Sequence, residues 1–151
     1  CICGAYQLLG NSYLALDGRL MQGLKFFNFT TRAGTDRLIG NILIKACLGG
    51  QETTVVGFEN HAGRTYFEDD SLEAFGEVLR GYGNNGEDKK EGIKYRHLIG
   101  TYLHGPLLPK NPVVADFFLK TMAQRKGIEL SCRLDDAIEL TAHEQMKNRL
   151  L

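Results

Sequence analysis

The sequence has no surplus of charge of either sign: 18 Lys and Arg balance 18 Asp and Glu across 151 residues. That removes the electrostatic case for a nucleic-acid or membrane-surface partner. No apolar run is long enough to cross a bilayer. The apolar opening CICGAYQLLGNSYLAL lacks the basic flank and the small-residue cleavage site of a signal peptide. The chain is therefore expected in the cytoplasm. The four cysteines and four histidines show neither C-x-x-C nor H-x-x-x-H spacing, so no metal site and no cofactor is expected. Cys1 and Cys3 are too close for an ordinary disulfide, and cytoplasmic thiols stay reduced.

What is present fits one folded domain. An apolar fraction of 43% can build a core. GAYQLLGNSYLALDG reads as a helix that Gly18 stops. LKFFNFTTR, RLIGNILIKACLGG and ETTVVGFENH read as strands, with GRTYFED turning back on the last. SLEAFGEVLRGYGNNGEDKKEG is turn-rich and reads as a surface loop. YRHLIGTYLHG reads as a buried strand. A helix from Pro112 to Arg125 should stop at Gly127, and RLDDAIELTAHEQMKNRLL should form a terminal helix. The mixture is α/β rather than all-β. The strand that should lead into Cys3 is represented by Cys1 and Ile2 alone, as expected of the C-terminal portion of an incomplete domain spanning residues 1–151.

The chemistry-bearing residue is a thiol. A cysteine attacks as thiolate, and a free one has a pKa of about 8.5 that a helix N-terminus lowers. Cys3 precedes Gly4 at the mouth of the first predicted helix. Gly4 is expected to permit a tight turn, leaving its N–H free to bind an oxyanion. Cys1 is expected to be an inert, packed residue. A cysteine nucleophile needs a base, and His104 is the best candidate because it ends an apolar strand just before Gly105 and Pro106. His61 is its competitor. His97, in a strand-like run, and His143, on a polar helix, are read as structural or solvated.

These residues carry a family resemblance. CGAYQ, from Cys3 to Gln7, resembles the nucleophile motif of class I, triad-type glutamine amidotransferases. VGFENHAGRT, GYGNNGEDKKEG and GTYLHGPLLPKNP resemble the cobyric-acid-synthase-like branch, and within it the GatD-type glutaminase subunits of lipid II isoglutaminyl synthases. The resemblance implies a three-layer, flavodoxin-like α/β fold with a mixed sheet and a nucleophile elbow at the chain start. It implies Cys3 as nucleophile, His104 as catalytic histidine, Gly4 as one oxyanion donor and Gln7 as a substrate contact. It implies L-glutamine as substrate and a MurT-like, ATP-dependent synthetase as heterodimer partner. Many class I members orient the histidine with a Glu two residues on, where this chain has Pro106. The orienting carboxylate is expected from the partner. Arg37 is expected to meet the free carboxylate of glutamine or to gate the site, against the competing reading of a surface ion pair; Asn60 and His61 shape the pocket or satisfy a turn. The NNGEDKK stretch reads as a solvated or partner-facing loop. The alternatives are a cofactor amidotransferase domain, a non-catalytic partner-binding relative and a cysteine peptidase.

Overall fold

The computed structural model describes residues 1–131 and 134–151. Cys132 and Arg133, the latter opening the expected terminal helix, lie outside the described residues. The elements are α1 (Gly4–Leu8), β1 (Ser12–Leu14), β2 (Leu20–Gln22), β3 (Phe29–Leu48), β4 (Gln51–Phe67), β5 (Gly76–Arg80), β6 (Lys90–Glu91), β7 (Ile93–Tyr95), β8 (Leu98–Gly100), β9 (Leu103–His104), α2 (Leu107–Lys110), α3 (Pro112–Lys126) and α4 (Ala137–Leu150).

The long hairpin of β3 and β4 is the frame. Its ladder runs from Phe29 opposite Phe67 to Leu48 opposite Gln51, with an irregularity between Ala33 and Leu38. Gly49 and Gly50 close it with φ of 59° and 81°, the left-handed pair that a two-residue turn needs to match strand twist. β1 joins β3 in parallel, while β5 and β9 join β3 and β4 antiparallel. The sheet is therefore mixed, in the order β2-β1-β3-β4-β9, with β5 against β3 and β6 against β5. The α/β, mixed-sheet expectation holds. Ile42, Ile44, Ala46 and Leu48 alternate onto one face of β3 and form the larger core with Val55, Leu103 and Val114, against which Phe117 and Phe118 of α3 pack.

Several sequence expectations change. The first helix stops at Leu8, and residues 12–22 form a hairpin instead. Asn11 explains why: its N–H donates to the Phe29 carbonyl at 2.7 Å, drawing the chain onto the sheet. Leu24–Asn28 is irregular, and the strand there begins at Phe29. The residues read as two strands between 24 and 50 are thus one strand with a bulge. GRTYFED does not turn back either, because β4 runs on through Phe67. The supposed surface loop contains β5, whose Val78 is in the core. α3 starts at Pro112 and ends on Gly127 at φ 64°, as expected. α4 starts at Ala137, and its His143 is buried and structural, bonding Thr54 Oγ1 and the Lys110 carbonyl at 3.0 Å each. His97 sits exposed in the β7–β8 turn.

Two buried polar residues tie the helices and the site to this frame. Asn111 accepts from the Val56 N–H at 2.8 Å and donates to the carbonyls of Val56 and Leu107 at 2.8 and 2.7 Å. Glu91 accepts from Thr101 Oγ1 at 2.6 Å and from the Tyr102 N–H at 2.7 Å. Its other oxygen is buried with no partner among the described residues. Burial pushes the Glu91 carboxyl up to about 7, against the pull of those two bonds.

Asn111→Ala should destabilise the full-length protein by about 2–4 kcal/mol in urea unfolding, since it strands three buried backbone groups. A loss within about 0.5 kcal/mol, the range of an ordinary surface change, would refute the clamp. For Glu91, a folded-state pKa near 7 lies above the ordinary value of 4.5. The folded chain then keeps a proton that the unfolded chain has released, so stability falls as pH rises from 4.5 to about 7. The loss is on the order of 3 kcal/mol. Glu91→Gln should flatten the stability profile across that window; parallel profiles for the two proteins would show that Glu91 is not the titrating group.

Candidate active site

Cys3 is one of four non-glycine residues with positive φ among the described residues. It sits between Ile2, which bridges Thr101 in parallel, and the five-residue helix α1. Its φ of 52° and ψ of −113° are unusual for a residue with a side chain. The strain falls on Cys3 itself, whereas the sequence placed it on Gly4. Gly4 is exposed, and a Cβ there would meet nothing within 4 Å. A strand, a strained nucleophilic residue and a helix in that order form a nucleophile elbow. Backbone bonds hold it: Cys3 N–H to the Thr101 carbonyl at 2.9 Å, Thr101 N–H to the Cys1 carbonyl at 2.9 Å, and Ala5 N–H to the Ile2 carbonyl at 3.1 Å. The Cys3 side chain is half-buried against the cluster of Tyr6, Leu9, Phe29, Ile93 and Tyr102. Cys1 is exposed rather than packed, because only its backbone and its terminal amine engage the neighbouring strand residues Thr101 and Ile99.

His104 ends β9 opposite Phe58 of β4. It is half-buried, with Nε2 shielded and unpaired among the described residues. Burial lowers its pKa, and the nearby His61 and Arg37 lower it further. The imidazole is therefore neutral at pH 7, the form a general base requires. His61 is spent elsewhere. It is 1% exposed, its Nδ1 donates to the Gly63 carbonyl at 2.7 Å, and its ring stacks on Tyr102 at 3.7 Å. Its Nε2 lies 3.6 Å from Glu59, whose two oxygens accept from the backbone N–H groups of Tyr82 and Gly83.

Arg37 lies in the irregular part of β3, exposed, and donates to Asn60 Oδ1 at 2.7 Å and to the Asn60 carbonyl at 2.9 Å. It is thus within electrostatic reach of His104. Gln7 lies one turn beyond Cys3, its N–H donating to the Cys3 carbonyl at 3.0 Å. A cavity of about 350 Å³ opens between Gly4, Gln7 and Leu8 on one wall and Tyr13, Met21 and Gln22 on the other. Larger cavities, such as the one of about 740 Å³ between α3 and α4, are not lined by these residues.

Sequence reasoning missed the shell behind the site. Tyr102, Thr65 and Thr31 form a hydroxyl chain that reaches Gln7. Asn84 accepts from the Tyr6 hydroxyl at 3.2 Å, pairs with both backbone groups of Gly92, and is fully buried. The reading of NNGEDKK as solvated therefore holds only for its later residues, since Asn85 is also buried. Buried Asn beside positive-φ Gly83 and Gly86 was the available signal, because such a loop must satisfy its own backbone.

Residues 1–112 match the family model of the CobB/CobQ-like glutamine amidotransferase domain. The chain is 47% identical over 98% of its length to the lipid II isoglutaminyl synthase (glutamine-hydrolyzing) subunit GatD of Staphylococcus aureus (strain N315). It is 38% identical over 83% of its length to the GatD subunit of Streptococcus pneumoniae (strain ATCC BAA-255 / R6). It is 29% identical over 85% of its length to a probable cobyric acid synthase of Methanocaldococcus jannaschii. The chain covers 59%, 47% and 27% of those three relatives respectively. With the mixed sheet and the elbow at Cys3, these matches establish the fold class as that of the class I amidotransferases, and the chain belongs to the CobB/CobQ-like glutamine amidotransferase family.

Proposed function

We propose that this chain belongs to a glutaminase subunit that hydrolyses L-glutamine and supplies ammonia for amidation of lipid II. The observation that carries the reading is the strained elbow at Cys3, with open space over Gly4. Cys3 Sγ attacks the carboxamide carbon, and the developing oxyanion meets the Gly4 N–H. His104 takes the thiol proton and gives it to the departing ammonia, leaving a γ-glutamyl thioester. His104 then draws a proton from water, which attacks the thioester; glutamate leaves and the thiol is restored. Gln7 holds the substrate, and the Arg37 guanidinium pairs with its α-carboxylate on leaving Asn60.

The two GatD relatives are named as subunits of a glutamine-hydrolysing synthase, which supports a second subunit that uses the ammonia. In this reading the partner is a MurT-like, ATP-dependent synthetase of Mur-ligase type. It activates the α-carboxyl of D-glutamate in lipid II and yields D-isoglutamine, on the cytoplasmic side. No helix among the described residues is long and apolar enough to cross a membrane. The partner also supplies the carboxylate that orients His104, so the subunit alone is a weak glutaminase.

Three measurements on the full-length protein, with and without its synthetase, test this. Cys3→Ser should cut glutamate release by about 10³-fold or more, whereas Cys1→Ser should retain it; the reverse outcome overturns the nucleophile. Before the synthetase and its carboxylate are added, the acid limb of the kcat/KM profile for glutamine should lie below pH 6.5, the ordinary imidazole value from which His104 is lowered. A limb above that value excludes His104 as the base. Equal glutaminase turnover with and without the synthetase would remove the partner's orienting role.

A further inference from the structure

The Gln7 side chain does not stand free. Its Nε2 donates to the Tyr102 hydroxyl at 3.1 Å. That hydroxyl lies 2.7 Å from Thr65 Oγ1, which lies 2.9 Å from Thr31 Oγ1. Tyr102, Thr65 and Thr31 are all fully buried or within 1% of it. Thr31 and Thr65 are direct cross-strand partners in the β3–β4 ladder, so the chain of hydroxyls is anchored in the buried face of that hairpin. The Tyr102 ring is itself clamped, stacked on His61 at 3.7 Å and edge-on to Tyr6 at 5.3 Å. His61 is held in turn by the Gly63 carbonyl. Gly63 is the remaining part of the cradle. A Cβ there would press on the Gln7 amide nitrogen, lie 2.9 Å from Thr31 Cγ2 and lie 3.2 Å from the Tyr102 hydroxyl. Only glycine leaves room for the carboxamide in this position.

We propose that Tyr102 is a positioning residue for substrate, which fixes the Gln7 carboxamide so that its Oε1 is presented as an acceptor to an N–H donor of glutamine. A carboxamide can offer either of its ends to a ligand. Here the NH2 end is committed to Tyr102, and Oε1 has no partner among the described residues. The site therefore selects for a donor at that point, and the selectivity is set by a residue that does not itself touch substrate. This rests on the glutaminase reading above.

The test is steady-state glutaminase kinetics of the full-length protein with its synthetase, for Tyr102→Phe, Gln7→Ala and the double variant. Phenylalanine keeps the ring and its stacking, and Thr65 keeps Thr31, so folding is preserved. Tyr102→Phe should raise KM for glutamine about 3–10-fold, the worth of one neutral hydrogen bond, with kcat within about twofold. In the Gln7→Ala background the same change should add nothing. Gly63→Ala, whose Cβ displaces the Gln7 amide and crowds Thr31 and the Tyr102 hydroxyl, should raise KM in the same way. An unmoved KM in Tyr102→Phe, or penalties that multiply in the double variant, overturns the proposal. A lowered melting temperature with KM unchanged does so too, by showing a merely structural role. If the unsubstituted complex releases no glutamate, the glutaminase reading itself falls; if it turns over normally and Tyr102→Phe matches it, only the role of Tyr102 falls.

Discussion

A side-chain-bearing residue held outside the favoured backbone regions costs on the order of 1–3 kcal/mol and persists only where its surroundings leave no alternative. At Cys3 those surroundings are chiefly one residue. Thr101 accepts the Cys3 N–H through its carbonyl and donates its own N–H to Cys1. Its hydroxyl is taken by Glu91 and by the Leu103 N–H. Every polar group of Thr101 is thus committed, and the neighbouring Tyr102 N–H goes to the same Glu91 oxygen. The elbow, the anchor for Gln7 and the strand leading to His104 therefore share a single support.

That support is made of buried polar groups, which are costly unless paired. Almost every one here has a partner, and the partners lie far apart in sequence. Tyr6 in the first helix reaches Asn84, and Gln7 reaches Tyr102. Glu59 fixes the backbone of Tyr82 and Gly83, which precede Asn84. The loop from Tyr82 to Glu91 consequently behaves as a plug behind the helix, with its Asn residues standing in for strand partners. Satisfied networks of this kind specify one arrangement strongly, and that is what a nucleophile held at a strained angle requires.

How much of this was legible in the sequence follows from the range of the forces involved. Cys3 at an elbow, His104 at a strand end and the helix bounded by Pro112 and Gly127 are local signals, and each stands where it was expected. Residues 12–22 failed because apolar spacing fits a helix or a short hairpin. Asn11 draws the chain onto the sheet, and Asp17 with Gly18 at φ 82° makes the hairpin's turn. The single strand from Phe29 to Leu48 carries an irregularity between Ala33 and Leu38, in the stretch between the two predicted strands. The ladder continues past that bulge because Arg64 spans it, bonding the carbonyls of Ala62 and Asp36 at 2.9 and 2.8 Å. Tyr102 carries no local signal, because the partners of its hydroxyl, Thr65 of β4 and Gln7 of α1, are far from it in sequence.

The site divides into a fixed half and an adjustable half. Cys3 and Gln7 are set by the buried frame, and moving either means breaking bonds in the core. His104 and Arg37 are placed differently. β9 is two residues long and lies at the edge of the sheet, while Arg37 is exposed and tied to one asparagine across a bulge. Such elements open at low free energy compared with a core strand. A nucleophile must be strained before substrate arrives, since the strain is worth nothing if it relaxes in the empty site. In the proposed reaction, His104 as base and Arg37 as carboxylate partner would gain from the opposite arrangement, because they would meet different species as an amide becomes a thioester and then an acid. The distribution of rigidity follows that difference, with the cost of order placed where the first bond forms and freedom left where protons and charge must move.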